Sequence, residues 1–216
     1  FHAREGAVSQ QLADAREQLA QIFRDEDLGI DGLRQSKLSY HPLFLQPKLT
    51  AQRLTEEQLQ LRALWLACFP EDTQDDVEQF LLSRYDERRC LVARRDGRIA
   101  AMLHIVPFRD TAYIYAVATA PDCRQQGLAG GLLREALDRC RAERFRYAAL
   151  IPGSEELRRW YAGFGFAGDY PACFRTHDDF DFGTGDPAHD RAMVLPLTGE
   201  PFAGETLDLS DLPQES

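Results

Sequence analysis

The stretch Arg124 to Gly131, RQQGLAGG, places Gly127, Gly130, Gly131 and the small Ala129 between a strand-like run, Ala112 to Thr119, and a helical pattern. Glycine is a poor helix former, so its use at a helix start needs a compensating reason. A helix N-terminus offers unpaired backbone N–H groups and a positive dipole end, and small residues let a pyrophosphate approach the backbone. Two familiar phosphate patterns fail here. Counted from Gly127, a dinucleotide fingerprint needs glycine two and five residues on, where Ala129 and Leu132 stand, and no Gly-Lys-Ser or Gly-Lys-Thr follows as in a P-loop. Taken alone, the residues leave open an anion cradle and a tight turn leading into a close-packed helix.

Composition narrows the chemistry. With 25 basic and 35 acidic residues in 216, the formal charge of −10 opposes non-specific binding to nucleic acid or anionic membranes and suits a cationic substrate. The longest apolar runs, such as Ile99 to His104 and Ala148 to Ile151, are of strand length, far short of the roughly 20 residues that cross a bilayer. Cys68, Cys90, Cys123, Cys140 and Cys173 are odd in number, widely spaced and without a C-x-x-C pair, so reduced thiols and a cytoplasmic location are expected, with no metal site. The chain begins at Phe1 rather than Met, which leaves a processed leader open.

The elements that must position these residues follow from periodicity. Val8, Leu12, Ala15, Leu19, Ile22 and Phe23 mark an N-terminal amphipathic helix whose apolar stripe packs on the main domain or on a partner chain, as in a homodimer. A polar, turn-prone linker to His41 follows, giving an appendage over 1–41, a main domain over 42–197 and a tail over 198–216. Pro42 to Lys48 reads as a short edge strand. Thr55 with Gln58 forms a capping-box pattern before a helix that Pro70 closes, and Thr73 with Asp75 and Asp76 opens another to about Tyr85. From Cys90 the period becomes that of strands, with Asp96-Gly97 as a two-residue hairpin. "TAYIYAVAT" is a third strand, Leu128 to Cys140 a helix, "YAALI" a buried strand, Ser154 to Phe164 a helix and Arg191 to Leu197 a late strand. Asp178 to Asp190 reads as an acidic loop, and the tail from Thr198 either drapes over the surface or is disordered. This order predicts an α/β fold with a mixed, partly antiparallel sheet flanked by helices.

Arg124, Gly127 and Ala129, set after a strand and before a long helix, resemble the R-x-x-G-x-[GA] motif of the GNAT acetyltransferase superfamily. "SEELRRWYAGFGF", about thirty residues on, looks like that family's second hallmark, and the resemblance covers roughly three-quarters of the chain, Pro42 to Leu197. It implies a GNAT-like fold and an N-acyltransferase that moves acetyl from acetyl-CoA, or another acyl from its CoA thioester, to a primary amine of a small molecule or peptide by direct attack in a ternary complex. A non-catalytic acyl-CoA-binding or interaction module on the same fold is the alternative.

Carried over residue by residue, the resemblance gives backbone N–H groups across Gln125, Gln126, Gly127, Leu128, Ala129 and Gly130 to the pyrophosphate, after Arg124. It gives the strand edge at Val117, Ala118 and Thr119 to the pantetheine arm, with the thioester carbonyl near the Val117 amide. Tyr161 stands where a tyrosine protonates the departing thiolate. Ser154 stands where many relatives have a cofactor-touching Asn, and is equally an N-cap. Where several relatives place a basic Glu, this chain has Tyr113, a poor base when neutral; His104, Glu71 and Asp72 are the base candidates, though a lone strand histidine such as His104 is more often structural. Among Arg134, Arg139, Arg141, Arg144, Arg146, Arg158 and Arg159, one or two meet the CoA 3′-phosphate or all form a solvated face. The acceptor groove is expected between Pro70 to Tyr85 and Tyr170 to Asp190. There Asp178, Asp179, Asp181, Asp186 and Asp190 either attract an amine or are merely solvated, and Phe174, Phe180 and Phe182 line a pocket or pin the loop.

Overall fold

The computed structural model describes residues 53–178, 180, 182–186 and 188–212. The helix expected at Val8 to Phe23, the linker after it and the strand at Pro42 to Lys48 lie outside those residues.

Two capped helices come first. α1 (Glu56–Cys68) opens on Thr55, whose hydroxyl accepts from the Gln58 N–H at 3.2 Å while the Gln58 side chain accepts from the Thr55 N–H at 2.9 Å. α2 (Gln74–Ser83) opens on Thr73, which accepts from the Asp76 N–H, and Asp75 and Asp76 face the positive dipole end. Each cap contributes about 1 kcal/mol, so both helix starts are locally encoded.

β1 (Cys90–Arg95) and β2 (Arg98–Phe108) then form the expected hairpin. Asp96 and Gly97 both take positive φ, 49° and 78°, as a two-residue turn matched to strand twist requires. β3 (Thr111–Thr119) returns antiparallel to β2, and a short 3₁₀ turn, Pro121–Cys123, leads to α3 (Leu128–Ala142). β4 (Tyr147–Leu150), α4 (Glu155–Ala162), β5 (Ala167–Arg175), β6 (Arg191–Pro196) and β7 (Leu207–Ser210) follow.

The strands make one seven-stranded mixed sheet in the order β1-β2-β3-β4-β6-β5-β7, parallel at β3–β4 and β5–β7 and antiparallel elsewhere. Successive β2 side chains go to opposite faces. Ala100, Met102, Val106 and Phe108 pack with Leu61, Trp65 and Phe80 of the first two helices, whereas Ala101, Leu103 and Ile105 pack with Leu133 and Ala136 of α3. A fully buried Leu or Phe contributes about 1.5–3 kcal/mol, so the two layers stabilise the sheet from both faces.

Two elements differ from expectation. β5 covers residues given no strand of their own and overlaps Tyr170 to Asp190, expected to frame the acceptor groove; Gly168 and Pro171 conceal a strand whose ladder shifts register between Ala167 and Tyr170. The tail is not merely draped: Leu207 to Ser210 pairs parallel with Ala172 to Arg175, and Leu207 and Leu209 are fully buried. Four alternating residues are too short a pattern to stand out beside Gly204 and Leu212.

The seam between β3 and β4 positions the site. Only Thr111 to Tyr113 pair with β4, through Tyr147 to Ala149, so β3 runs on from Ile114 to Thr119 without β4 beside it. On its other side, Met102 faces Ala118 and His104 faces Tyr115, leaving Ala116 and Val117 opposite Leu103 alone. This is a β-bulge, with Ala116 at φ 49°.

Candidate active site

Where β3 leaves β4, a cleft of about 670 Å³ opens. Its floor is Tyr113 to Val117 and Leu150 to Ile151, one wall is Gly153, Leu157 and Tyr161, and the opposite wall joins the α1–α2 connection to the segment before β6. Of the expected pantetheine edge, Val117 lines the cleft beside the bulged Ala116. Ala118 is buried in the core, and the Thr119 carbonyl is already engaged by the Cys68 thiol at 3.4 Å and the Arg124 Nε–H at 3.3 Å.

The glycine stretch is an open helix start. Gln125 and Gly127 have positive φ, 60° and 76°, and Gly127 is the N-cap of α3 with no side-chain cap on the helix. The first-turn N–H groups, at Leu128, Ala129 and Gly130, therefore lack a helical partner and a capping oxygen. A Cβ at Gly127 or Gly131 would meet nothing within 4 Å, so at these positions the space beside the backbone is open. Gly130 differs: it is buried, and a Cβ there would lie 3.5 Å from the Phe164 ring. Of the alternatives the sequence left open, the close helix contact is present at Gly130, and Gly127 opens the helix with no side-chain cap. Gln126 reaches back to the Asp122 carbonyl at 3.4 Å, and Arg124 ties the loop to β3, so both side chains brace the turn.

Tyr161 lies on the cleft wall, 6% exposed, with its ring edge-on to Trp160 at 4.8 Å. Burial pushes its phenol up to about 12, so the hydroxyl keeps its proton throughout the neutral range. Trp160 packs on Phe164 at 4.9 Å, an anchor for the helix that presents Tyr161.

Ser154 serves as the N-cap of α4, accepting from the Leu157 N–H at 3.2 Å, and it is not in the cleft lining. Of the two roles weighed for Ser154, the structure shows the cap.

His104 does not meet the needs of a base. It is 3% exposed among the rings of Trp65, Phe80 and Tyr85, and its Nε2 has no partner among the described residues. Desolvation pulls its pKa down to about 3, and it is outside the cleft lining. It is a neutral core group. Glu71 and Asp72 do line the cleft, Asp72 accepting from the Trp65 indole N–H at 2.7 Å.

The arginines are mostly spent on the protein itself. Arg158 binds Asp169 at 2.9 Å, Arg139 binds Glu135 at 2.6 Å, Arg141 binds Asp138 at 3.0 Å and Arg146 binds Glu200 at 2.7 Å. Arg159 donates to the Glu155 carbonyl at 3.3 Å, and Arg134 stacks over Phe164 beside the glycine turn, its guanidinium 5.8 Å from the ring centre.

The acidic loop resolves into unequal parts. Asp178 is bound by Arg84 and held down to about 2, chiefly by that hydrogen bond, while Asp186 pairs with His189 at 2.8 Å. Asp179 and Asp181 lie outside the described residues. Asp190 alone of the described set enters the cleft, with Phe180 and Phe182; Phe174 packs instead behind Tyr113. Sequence reasoning could not rank these carboxylates. The signal was the Gly183-Thr184 pair upstream, since a Cβ at Gly183 would lie 2.5 Å from the Asp190 Oδ2.

The family model "Acetyltransferase (GNAT) domain" matches residues 50–168, more than half of the 216. The chain belongs to the GNAT acetyltransferase family. Its fold agrees with that of solved members. The GNAT family N-acetyltransferase YhbS of Escherichia coli, solved in complex with CoA, is 18% identical over 77% of this chain and 92% of its own, with a TM-score of 0.55. A GNAT acetyltransferase from Staphylococcus aureus Mu50 is 12% identical over 69% and 98%, with a TM-score of 0.51. A protein from Pyrococcus horikoshii is 16% identical with a TM-score of 0.47, covering 60% of this chain, which spans only 48% of its length. No curated protein matches the chain. Among the described residues, no helix is long and apolar enough to cross a membrane.

Proposed function

We propose that this GNAT-family protein is an acyl-CoA-dependent N-acyltransferase that moves acetyl from acetyl-CoA to a primary amine by direct attack in a ternary complex. One observation supports the reading: the bulged edge of β3 that β4 leaves unpaired and the buried Tyr161 phenol line the same cleft, and β3 leads through the Pro121–Cys123 turn into the uncapped start of α3. The uncapped N–H groups from Leu128 to Gly130, with the positive helix end, suit a pyrophosphate. The β3 edge offers backbone groups to an amide-containing arm, as a further strand would. A bulge turns the backbone locally, so the Val117 amide suits a developing oxyanion at the thioester carbonyl. Tyr161, still protonated at neutral pH, supplies the proton that the leaving sulfur takes up.

The deciding experiment is a panel of amines with acetyl-CoA, read by release of the CoA thiol and by mass of the acetylated product. Release with at least one amine is expected. Tight acetyl-CoA binding without release across the panel would show a binding module in place of an enzyme.

A further inference from the structure

Four carboxylates line the cleft, and they are unlike. Glu71 and Asp76 are exposed at its mouth, and Asp72 is committed to the Trp65 indole. Asp190 is 3% exposed, inside. The Thr184 N–H donates to its Oδ1 at 2.8 Å and its Oδ2 at 3.0 Å, and the Thr184 hydroxyl to Oδ1 at 3.1 Å. Its backbone is fixed as well, since its carbonyl accepts from the Ala172 N–H of β5 at 2.8 Å and its N–H donates to the Asp186 carbonyl at 2.8 Å. Among the described residues no Arg, Lys or His touches this carboxylate or lines the cleft. A buried carboxylate with no counter-ion is costly unless a cation arrives. The rings of Tyr113, Tyr115, Phe180 and Phe182 line the same cavity, and aromatic faces attract cations. Tyr113 lines the same cavity, and burial raises its phenol well above its ordinary value, with the nearby Asp190 carboxylate adding to the rise.

We infer that Asp190 is the carboxylate that receives the acceptor's ammonium and takes its proton, and that the acceptor is a primary amine with an apolar body and no carboxylate. This rests on the N-acyltransferase reading. Beside the buried Asp190 an ammonium–carboxylate pair is poorly solvated, and passing one N–H proton to Asp190 leaves a neutral acid and a nucleophilic amine. The nitrogen lone pair then forms the C–N bond at the thioester carbonyl, and the C–S bond breaks. Tyr161 protonates the thiolate and recovers its proton from the attacking nitrogen. Asp190 releases its proton to water as product leaves, so the ammonium's two surplus protons end on the sulfur and in solvent. A carboxylate on the acceptor would face four like charges and no cation.

Phenethylamine and phenylalanine, which share a ring and an amine and differ by one carboxylate, are the probes. Wild-type protein should use phenethylamine with kcat/KM at least about tenfold above that for phenylalanine. Asp190→Asn keeps an acceptor for Thr184, and should cut kcat/KM for phenethylamine about 100-fold near pH 7. The loss should shrink as pH approaches the amine's own pKa, where the nucleophile arrives neutral; a loss constant with pH overturns the proton-taking role. Gly183→Ala, which removes no charge but pushes a Cβ against the carboxylate, should weaken phenethylamine binding several-fold while acetyl-CoA binding is unchanged. Calorimetric binding of phenethylamine separates this inference from the reading beneath it. If acetyl-CoA binds yet no amine releases CoA, transfer fails as a function; if phenethylamine binds Asp190→Asn as tightly as wild type, or binds neither, the Asp190 site fails.

Discussion

At the scale of single residues, the site depends on two groups whose surroundings define what they can do. Burial keeps the Tyr161 phenol protonated, as the proposed donor to the leaving thiolate must be, and the same burial makes the ring part of the core behind α4. Tyr161→Phe keeps the ring packing and removes the proton, so turnover should fall about 100-fold with acetyl-CoA affinity nearly unchanged, measured by steady-state kinetics and calorimetry. Gly127 matters for backbone and for space. A Glu there would place a carboxylate beside the uncapped N–H groups and adopt an unfavourable φ of 76°. Gly127→Glu should lose at least tenfold in acetyl-CoA affinity, whereas Gly127→Asn, which tolerates the same backbone without a charge, should lose much less. Equal binding by wild type and Gly127→Glu would remove the cradle from the site.

At the scale of elements, the cleft is held open by contacts distant in sequence. Arg84, the C-cap of α2, donates to Asp178 from its Nε–H at 2.9 Å and to Asp211 at 2.8 Å, and its guanidinium lies 5.2 Å from the centre of the Phe182 ring. It therefore joins α2, the segment before β6 and the residue after β7 around Phe182, a ring of the cleft lining. Arg84→Met should leave Asp178 with the Phe180 N–H and Asp211 with His177, remove the cation from both, and destabilise the fold by about 2 kcal/mol. It should also raise KM for the amine several-fold while leaving acetyl-CoA affinity intact; parallel loss of both affinities would mean general unfolding instead. This knot was illegible in the sequence because no periodicity links position 84 to 178 and 211. What was legible is what is local: the Thr55 box, the Asp96-Gly97 turn, the apolar face of α3 and the glycine turn itself. The β3 bulge and β7 were not, since each is defined by its partner strand rather than by its own residues. His104 misled for a related reason: the residue type suggested neutral-pH chemistry, and only the packing of α1 and α2 over β2 shows the ring sealed away.

At the scale of the whole molecule, that sealed histidine becomes a term in stability against pH. Its folded pKa of about 3 lies below the unfolded value near 6.5, so the unfolded chain binds the proton first. Its effect is absent above pH 6.5 and grows as pH falls toward 3, with a slope of at most about 1.4 kcal/mol per pH unit for one proton. Asp178 acts lower down. Its folded value of about 2 lies below the ordinary 3.8, so the stability from Arg84 is present above 3.8 and lost as pH falls through 2. On the alkaline side Tyr161, Cys90 and Cys140 are all raised to about 12 by burial, so each favours unfolding once pH exceeds its ordinary value. The two limbs are therefore separable by substitution. His104→Leu removes the buried imidazole and its Nε2, which has no partner among the described residues, and should flatten the loss of stability between about pH 6.5 and 3, while leaving in place the alkaline limb and the contribution of Asp178 below its ordinary value. Urea unfolding at a series of pH values reads both limbs, and a variant whose stability still falls as steeply as wild type between about pH 6.5 and 3 would place the acid sensitivity elsewhere in the fold.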